Sequence, residues 1–249
     1  MRPYFLCFSA LVLLVMALGL EGCSSPPPPK PSVQDTPTPV APSPIDRQKA
    51  ATLRQQGLEA RQRGQMPAAI AAFEQAARLD PENIGGQVLW GWTLHLADQR
   101  PEAIAVLEKT RGQDGNNVPT LNALGIVYLV QGQLQQAVAT HERARQLKPQ
   151  NEIAHYNLSL AYERLGNYAL ASQRGQVATQ LEPGNPHPWV ALAWVYWQKG
   201  QRSRAQQAYN QAIRLDPRYR KKAFLAHLQE AGFSPAQIEG TQKILASLP

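Results

Sequence analysis

The sequence predicts an all-α solenoid of five helix-turn-helix units closed by a C-terminal helical cap. The main observation is a period of 34 residues, marked by Pro81, Gly115, Pro149, Pro183 and Pro217. The residues around the prolines repeat as well, as LDPEN, LKPQN, LEPGN and LDPRY. A fixed period of this length is typical of stacked helical pairs rather than of a single enzyme core. We therefore expect the protein to function by binding along an extended surface.

Counting back from these positions divides the repetitive region into five units, 50–83, 84–117, 118–151, 152–185 and 186–219. In each unit the fourth, seventh, eighth and eleventh places fall on one helix face, because residues three and four apart are neighbours there. The third and fifth units show this stripe and its partner in the second helix most completely: Leu121, Leu124, Gly125, Tyr128, Ala137, Ala144, Trp189, Leu192, Ala193, Tyr196, Ala205, Tyr209 and Ala212. One unit cannot bury its stripe alone, so we expect stability to come from stacking.

Proline and glycine predict where the helices end. Proline cannot continue a helix, so each second helix is expected to stop near its marker. Glycine suits tight turns, and four glycines separate the two helices of their units: Gly64, Gly132, Gly166 and Gly200. Two glycines depart from the repeat pattern and predict local packing defects. Gly175 replaces an aromatic residue and should pack poorly, and Gly115 should leave a looser helix end.

These units resemble the tetratricopeptide-repeat family, whose W-x2-L-G-x2-Y, A-x3-F and proline pattern recurs in phase over residues 50–219. The resemblance implies a right-handed superhelix in which the first helix of each unit lines a concave groove for protein partners. It also implies that the second, fifth, ninth, twelfth and thirteenth places point into that groove. The residues at these places are the candidate partner-binding residues: Arg54, Arg61, Val88, Trp92, His95, Asn122, Ile126, Val130, Tyr156, Leu160, Glu163, Arg164, Val190, Trp194 and Trp197.

Three tryptophans stand out among the candidates because the packing stripe does not require them. Trp92 and Trp194 could anchor a partner or pack against a neighbouring unit, and both alternatives stay open here. For Trp197, packing against the cap is the favoured alternative. The family's clamp for a terminal carboxylate needs Lys and Asn where this chain has Arg54 and Leu58. A mixed apolar and basic groove for an extended segment or a helix fits these residues better.

Residues 220–249 are predicted to form capping helices. Phe224, Leu225 and Leu228 follow a helical spacing that ends at Gly232. Ser234, Pro235 and Gln237 then match an N-cap, a first-turn proline and the glutamine of a capping box. The last helix is expected to bury Ile238, Leu245 and Leu248. It would serve as a structural lid or, alternatively, as a docking helix.

The N-terminus predicts export and a lipid anchor. Residues 1–22 contain an early arginine and an uncharged apolar run, which is typical of a signal peptide. The stretch that ends at Cys23 resembles a bacterial lipoprotein box, although Glu21 departs from its usual small residue, and an uncleaved membrane anchor is the alternative. Residues 23–49 then form a Pro-rich linker that cannot build a core and would act as a tether.

Charge and side-chain chemistry narrow the function classes. The net charge is +7, with a basic cluster that comprises Arg214, Arg218, Arg220, Lys221 and Lys222. An exported protein does not meet the genome, so we expect an acidic partner, anionic lipid or cell-wall polymer rather than nucleic acid. The histidines lie in five separate segments, and the chain contains no HExxH motif, nucleophile elbow or phosphate-binding loop. We expect a protein that is not an enzyme and that has no cofactor or metal site.

The predicted function is a membrane-tethered scaffold for protein partners in cell-envelope assembly. It would face the periplasm, with the outer membrane favoured over the inner. The alternatives are a self-associating structural component, which would be a homo-oligomer, and a regulator of a cell-wall enzyme. A further alternative is a pilotin-like factor of type IV pili, which rests on the overall plan of the chain only.

Overall fold

The computed structural model describes residues 41–249, and within this range the all-α solenoid is confirmed. The signal peptide, the lipidation site at Cys23 and the linker up to residue 40 lie outside the described residues. The helices are α1 (Pro44–Gln62), α2 (Met66–Leu79), α3 (Ile84–Leu96), α4 (Arg100–Gln113), α5 (Val118–Val130), α6 (Leu134–Leu147), α7 (Glu152–Arg164), α8 (Tyr168–Leu181), α9 (Pro186–Gln198) and α10 (Arg202–Leu215). Two 3₁₀ helices, Pro217–Arg220 and Lys222–Gln229, and α11 (Pro235–Ala246) complete the chain.

The ten repeat helices form five pairs that stack in order. The two helices of each pair pack on each other, and the second helix of each pair packs on the first helix of the next. The first helices α3, α5, α7 and α9 also contact one another in sequence, whereas successive second helices make at most marginal contact. The first helices therefore form the tighter side of the stack, and the second helices are spread apart on the other side.

An asparagine at the last place of each of the first four units starts the next helix. The side-chain oxygens of Asn83, Asn117, Asn151 and Asn185 each accept a hydrogen bond from a backbone N–H in the first turn of the following helix. Such an N-cap satisfies one of the free donors at a helix start. The LxPxN motif thus combines a proline that ends one helix with an asparagine that starts the next, and only the role of the proline was predicted.

The predicted helix breaks agree with the structure, with one addition. The four interhelical glycines have φ between 72° and 79°, the left-handed region in which glycine has no steric penalty. Asp98 fills the same place in the second unit with φ 64°. The loose helix end expected at Gly115 is absent, because α4 ends at Gln113 in phase with the other second helices.

The core runs through the stack and into the C-terminal residues. One apolar cluster extends from Leu94 in α3 to Ile244 in α11, while the first unit has a small cluster of its own around Phe73. Gly175 is not the weak point that the sequence suggested. A Cβ at this position would lie 2.9 Å from Ser159 Oγ and 3.2 Å from Leu192 Cδ1, so the missing side chain permits a close approach.

Three details differ from the predictions: one segment boundary, one helix type and one set of buried residues. The linker does not reach residue 49, because Ser43 caps α1 and Pro44 occupies its first turn. Residues 222–229 form a 3₁₀ helix rather than an α-helix, and the extended backbone of Lys221 separates them from the preceding 3₁₀ turn. The fully buried apolar residue of α11 is Ile244. The predicted residues Ile238 and Leu245 of α11, and Leu248 beyond its end, are only partly buried.

None of the helices in residues 41–249 is both long and apolar enough to cross a bilayer. In the same range, no three side chains of the His, Cys, Asp or Glu type lie close enough to hold a metal ion.

Candidate partner-binding groove

The first helices of the second, third and fourth units border an open cleft of about 970 Å³. We call it the groove cleft. Its repeat side includes six of the predicted groove residues: Trp92, His95, Ile126, Val130, Tyr156 and Arg164. Its other wall is formed by residues 226–235, from the 3₁₀ helix to the start of α11. The C-terminal residues therefore take part in the site.

An aromatic and apolar surface lies at the centre of the repeat side. The rings of Trp92 and His95 lie 4.9 Å apart between centroids, and Ile126 follows from the next unit at the equivalent place of Trp92. Leu96 and Ile153 also line the cleft and are 46% and 37% exposed. Burial lowers the pKa of His95, and the charge of Arg100 lowers it further. His95 is thus neutral at neutral pH, which leaves this surface suited to an apolar anchor of a partner.

The groove cleft is polar at both edges, with opposite charge. Successive first helices run in the same direction because the units repeat. Their C-terminal ends and the following turns therefore bring Arg100 and Arg164 to one edge, and Glu152 and Glu182 lie at the other. Arg164 Nη1 donates a hydrogen bond of 2.7 Å to the carbonyl oxygen of Leu129. This bond holds the guanidinium in place at the end of α5.

The C-terminal residues are fixed to the groove by specific hydrogen bonds. Tyr156 Oη donates to the carbonyl oxygen of Ala231 at 2.6 Å. Gln237 Nε2 donates to Glu163 Oε2 at 2.7 Å, and Gln198 Nε2 donates to the other oxygen of the same carboxylate at 3.3 Å. Burial raises the pKa of Glu163, and these amide hydrogen bonds oppose the increase. Glu163 therefore attaches α11 to α7 rather than contacting a partner.

Besides Glu163, three predicted groove residues are covered by the C-terminal residues. Trp194 is 8% exposed, and its ring lies against the backbone of Gly240 in α11. Leu160 and Val190 are 1% and 0% exposed. The prediction that these three residues line an open groove is wrong, because α11 and the turn before it occupy that part of the concave side. For Trp194, the structure selects packing over partner binding.

The remaining candidates have structural contacts of their own. Arg54 Nη1 forms an ion pair of 3.1 Å with Asp80, and the amides of Asn122 and Asn151 hydrogen-bond to each other. The guanidinium of Arg202 lies 3.6 Å above the ring of Trp197. Val88 and Arg61 are partly buried, and Val88 packs against the main apolar cluster. None of these five predicted residues lines the groove cleft.

Sequence reasoning missed the wall that residues 226–235 supply. The capping box of α11 was readable, and the structure contains both of its hydrogen bonds. The position of α11 against α7 and α9 could not be predicted from the sequence, because it depends on contacts between residues far apart in the chain. The exposed Leu96 and Ile153 were also missed, although each lies next to a predicted place of the groove.

Comparisons with known proteins agree with this architecture. The sequence model of a family described as "Psidin, N-terminal TPR repeats region" matches residues 58–232. A crystal structure of MamA has a TM-score of 0.59 and 22% identity, with 70% of this chain and 95% of that chain covered. MamA 41-end from Desulfovibrio magneticus RS-1 has a TM-score of 0.62 and 21% identity, with coverage of 68% and 96%. At this identity the structural likeness shows the fold alone.

No curated protein matches this sequence. The family match is different, since residues 58–232 make up well over half of the chain. The matched region includes almost all of the five helix pairs and ends in the turn that forms a wall of the groove cleft. Its periodicity, helix pairing and shared first-helix face are those the sequence pattern predicted. The chain belongs to the tetratricopeptide-repeat family.

Proposed function

We propose that this tetratricopeptide-repeat scaffold binds a protein partner in the groove cleft, at the cell-envelope membrane to which its N-terminus tethers it. Repeats of this family are typically non-enzymatic scaffolds for other proteins. The observation that carries the proposal is the partly buried Trp92, which lies beside Ile126 in an open cleft with exposed apolar neighbours. Large aromatic side chains in such positions supply much of the binding energy of protein interfaces.

The shape and chemistry of the groove cleft favour a helix or an extended segment as the partner. The cleft crosses three first helices, so a ligand can contact Trp92, Ile126 and Tyr156 in succession. Its charged edges would orient a segment that carries opposite charges at its two ends, because like charges brought together across an interface are costly.

The envelope location rests on the sequence. A signal peptide over residues 1–22, lipidation of Cys23 and a tether before Ser43 would place the groove cleft in the periplasm, with the outer membrane favoured. Replacement of Cys23 with Ala is expected to move the full-length protein from the membrane pellet to the supernatant. Unchanged retention in the pellet would indicate an uncleaved anchor and contradict lipidation.

The binding proposal is tested by photo-crosslinking in native membranes. A photoreactive amino acid at position 126 should crosslink a partner, and the same probe at the exposed Gln173 of α8 should not. The crosslink at position 126 should disappear when Trp92 is replaced with Ala. Mass spectrometry then distinguishes the candidates: a second copy of this chain indicates self-association, a wall enzyme indicates a regulator, and a secretin indicates a pilotin-like role. Equal crosslinking from both positions would contradict binding in the groove cleft.

A further inference from the structure

The positive charge of the protein is concentrated at one end of the stack. Residues 186–249 contain nine Lys and Arg residues and only three Asp and Glu residues, a surplus of six. The whole chain has a net charge of +7, so the last unit and the cap account for nearly all of it. The first four units are close to neutral. A surface with a strong field of one sign attracts a partner of the opposite sign.

A second cleft opens at this end, on the side formed by the second helices. It lies between α8 and α10, has a volume of about 530 Å³ and is separate from the groove cleft. Trp189 and Tyr196 of α9 line it, together with the exposed arginines Arg204 and Arg214 of α10. No Asp or Glu is among the described residues that line it. We call it the arginine cleft.

The two arginines are bonded to amides and not to carboxylates. Arg204 Nη1 donates to Gln201 Oε1 at 3.2 Å, and its guanidinium lies 4.6 Å from the ring centroid of Tyr196. Arg214 Nε donates to Gln211 Oε1 at 2.9 Å. Among residues 41–249, neither side chain has an ion-pair partner. Their charges are therefore available to a ligand.

Comparison with the first unit shows that the missing ion-pair partner of Arg214 is a feature of the fifth unit. Arg78 occupies in the first unit the place that Arg214 occupies in the fifth, and Arg78 forms an ion pair of 2.6 Å with Glu74. The fifth unit has Asn210 at the place of Glu74. The same helix position thus has its internal carboxylate in one unit and lacks it in the other. A carboxylate of a partner could fill that role.

We propose that the arginine cleft binds an acidic segment of a partner protein. Its carboxylates would pair with Arg204 and Arg214, because a planar guanidinium can donate two parallel hydrogen bonds to the two oxygens of a carboxylate. The exposed amides of Gln180 and Gln207 line the same cleft and can hydrogen-bond a peptide backbone. The arginine cleft shares no lining residue with the groove cleft, so it can operate while the groove cleft is occupied.

A recessed cleft favours a peptide over a membrane surface. Arg220, Lys221 and Lys222 are also exposed at this end, and they lie outside the arginine cleft. A flat layer of anionic lipid headgroups would contact such surface residues as readily as the arginines of the cleft, whereas a peptide can enter the cleft. The two arginines of the cleft and these three basic residues can therefore be separated by substitution.

The test measures binding of a fluorescein-labelled peptide with glutamate at alternate positions, by fluorescence anisotropy with the full chain. A matched peptide with glutamine at those positions should bind at least ~10-fold more weakly, because charge-assisted hydrogen bonds are lost. The double variant Arg204→Gln and Arg214→Gln should lose a similar factor. The double variant Arg220→Gln and Lys221→Gln removes the same charge outside the cleft and should change affinity by less than ~3-fold, since exposed charges mainly steer association.

Three results would overturn the proposal. Equal binding of the glutamate and glutamine peptides would show that carboxylates are not recognised. Equal losses in the two double variants would show that binding follows net charge and not the cleft. Loss of binding to phosphatidylglycerol vesicles in the cleft variant, with peptide binding intact, would assign the site to a membrane. Trp92→Ala should leave peptide affinity unchanged, and thermal melts confirm that each variant is folded.

Discussion

The ring of Trp194 in α9 lies directly against the backbone of Gly240 in α11. A Cβ at position 240 would stand 2.6 Å from Trp194 Cε3 and would overlap two further ring atoms. Only glycine therefore allows α11 to come this close to α9. The contact explains why Trp194, although it stands at a groove place of the repeat, is buried and unavailable to a partner.

Replacement of Gly240 with Ala is expected to destabilise the protein by about 1–3 kcal/mol, because the added methyl group must push α11 away from Trp194. Chemical denaturation monitors the loss. The control is Gly112→Ala in α4, where no atom lies within 4 Å of the added Cβ. This change should stabilise by about 0.5–1 kcal/mol, because alanine is the better helix former. Similar effects of both substitutions would contradict the close contact.

The buried His141 predicts a loss of stability in acid. It takes the place of Phe73 and Leu107 in the third unit, and a Cβ on Gly125 would lie 2.5 Å from its Nε2. Complete burial lowers its pKa from 6.5 to about 3. Below pH 6.5 the unfolded chain takes up a proton at this site that the folded chain refuses, so the folded state loses stability as the pH falls. The loss should reach about 2 kcal/mol at pH 5.

The variant His141→Leu isolates this effect, since leucine fills the same place in the second unit. Its free energy of unfolding should fall less between pH 7 and pH 5 than that of the wild type, by the same ~2 kcal/mol. Denaturant titrations at the two pH values measure the difference. The histidines whose pKa is also lowered, His95, His155 and His187, are present in both proteins and cancel. Parallel pH profiles would contradict the assignment to His141.

Trp92 and Trp194 are expected to respond differently to truncation. Trp92→Ala removes a side chain that lines the open groove cleft, so it should weaken partner binding by on the order of 2 kcal/mol with a modest change in melting temperature. Trp194→Ala removes a buried side chain against α11 and should cost about 3–5 kcal/mol of stability. For both variants, thermal melts measure the stability and crosslinking from position 126 measures partner binding. The reverse pattern would place the anchor under α11.

Replacement of Asp98 with Gly is expected to increase the stability of the folded protein. The Asp98 φ of 64° lies in the region that the other four units fill with glycine. Replacement with Gly should stabilise the protein by about 0.5–1 kcal/mol, since it relieves a left-handed backbone of its Cβ. The exposed ion pair with Arg100 is lost at little cost because solvent screens it. Asp98→Ala removes the same pair without relieving the backbone, so any stabilisation by Ala would contradict this explanation.

Much of the fold could be predicted because its signals are local. Proline at the helix ends, glycine in the interhelical turns and the Asn residues that start the next helices all act within a few residues. The groove was predicted less well. Trp92 and Ile126 lie where the repeat pattern put them, but Leu160, Val190 and Trp194 at similar places are covered. Nothing in the 34-residue pattern distinguishes the two sets.

The sequence by itself determined the all-α class, the helix pairs and the family, because the period of the apolar residues and the helix-ending residues repeat along the chain. Only the tertiary structure decided how much of the groove is free. That depends on contacts such as Tyr156 with Ala231, 75 residues apart, and Trp194 with Gly240. Such contacts follow from the shapes of two surfaces that meet once the stack has formed. Local periodicity contains no information on how these two surfaces pack. That packing decides which residues remain accessible to a partner.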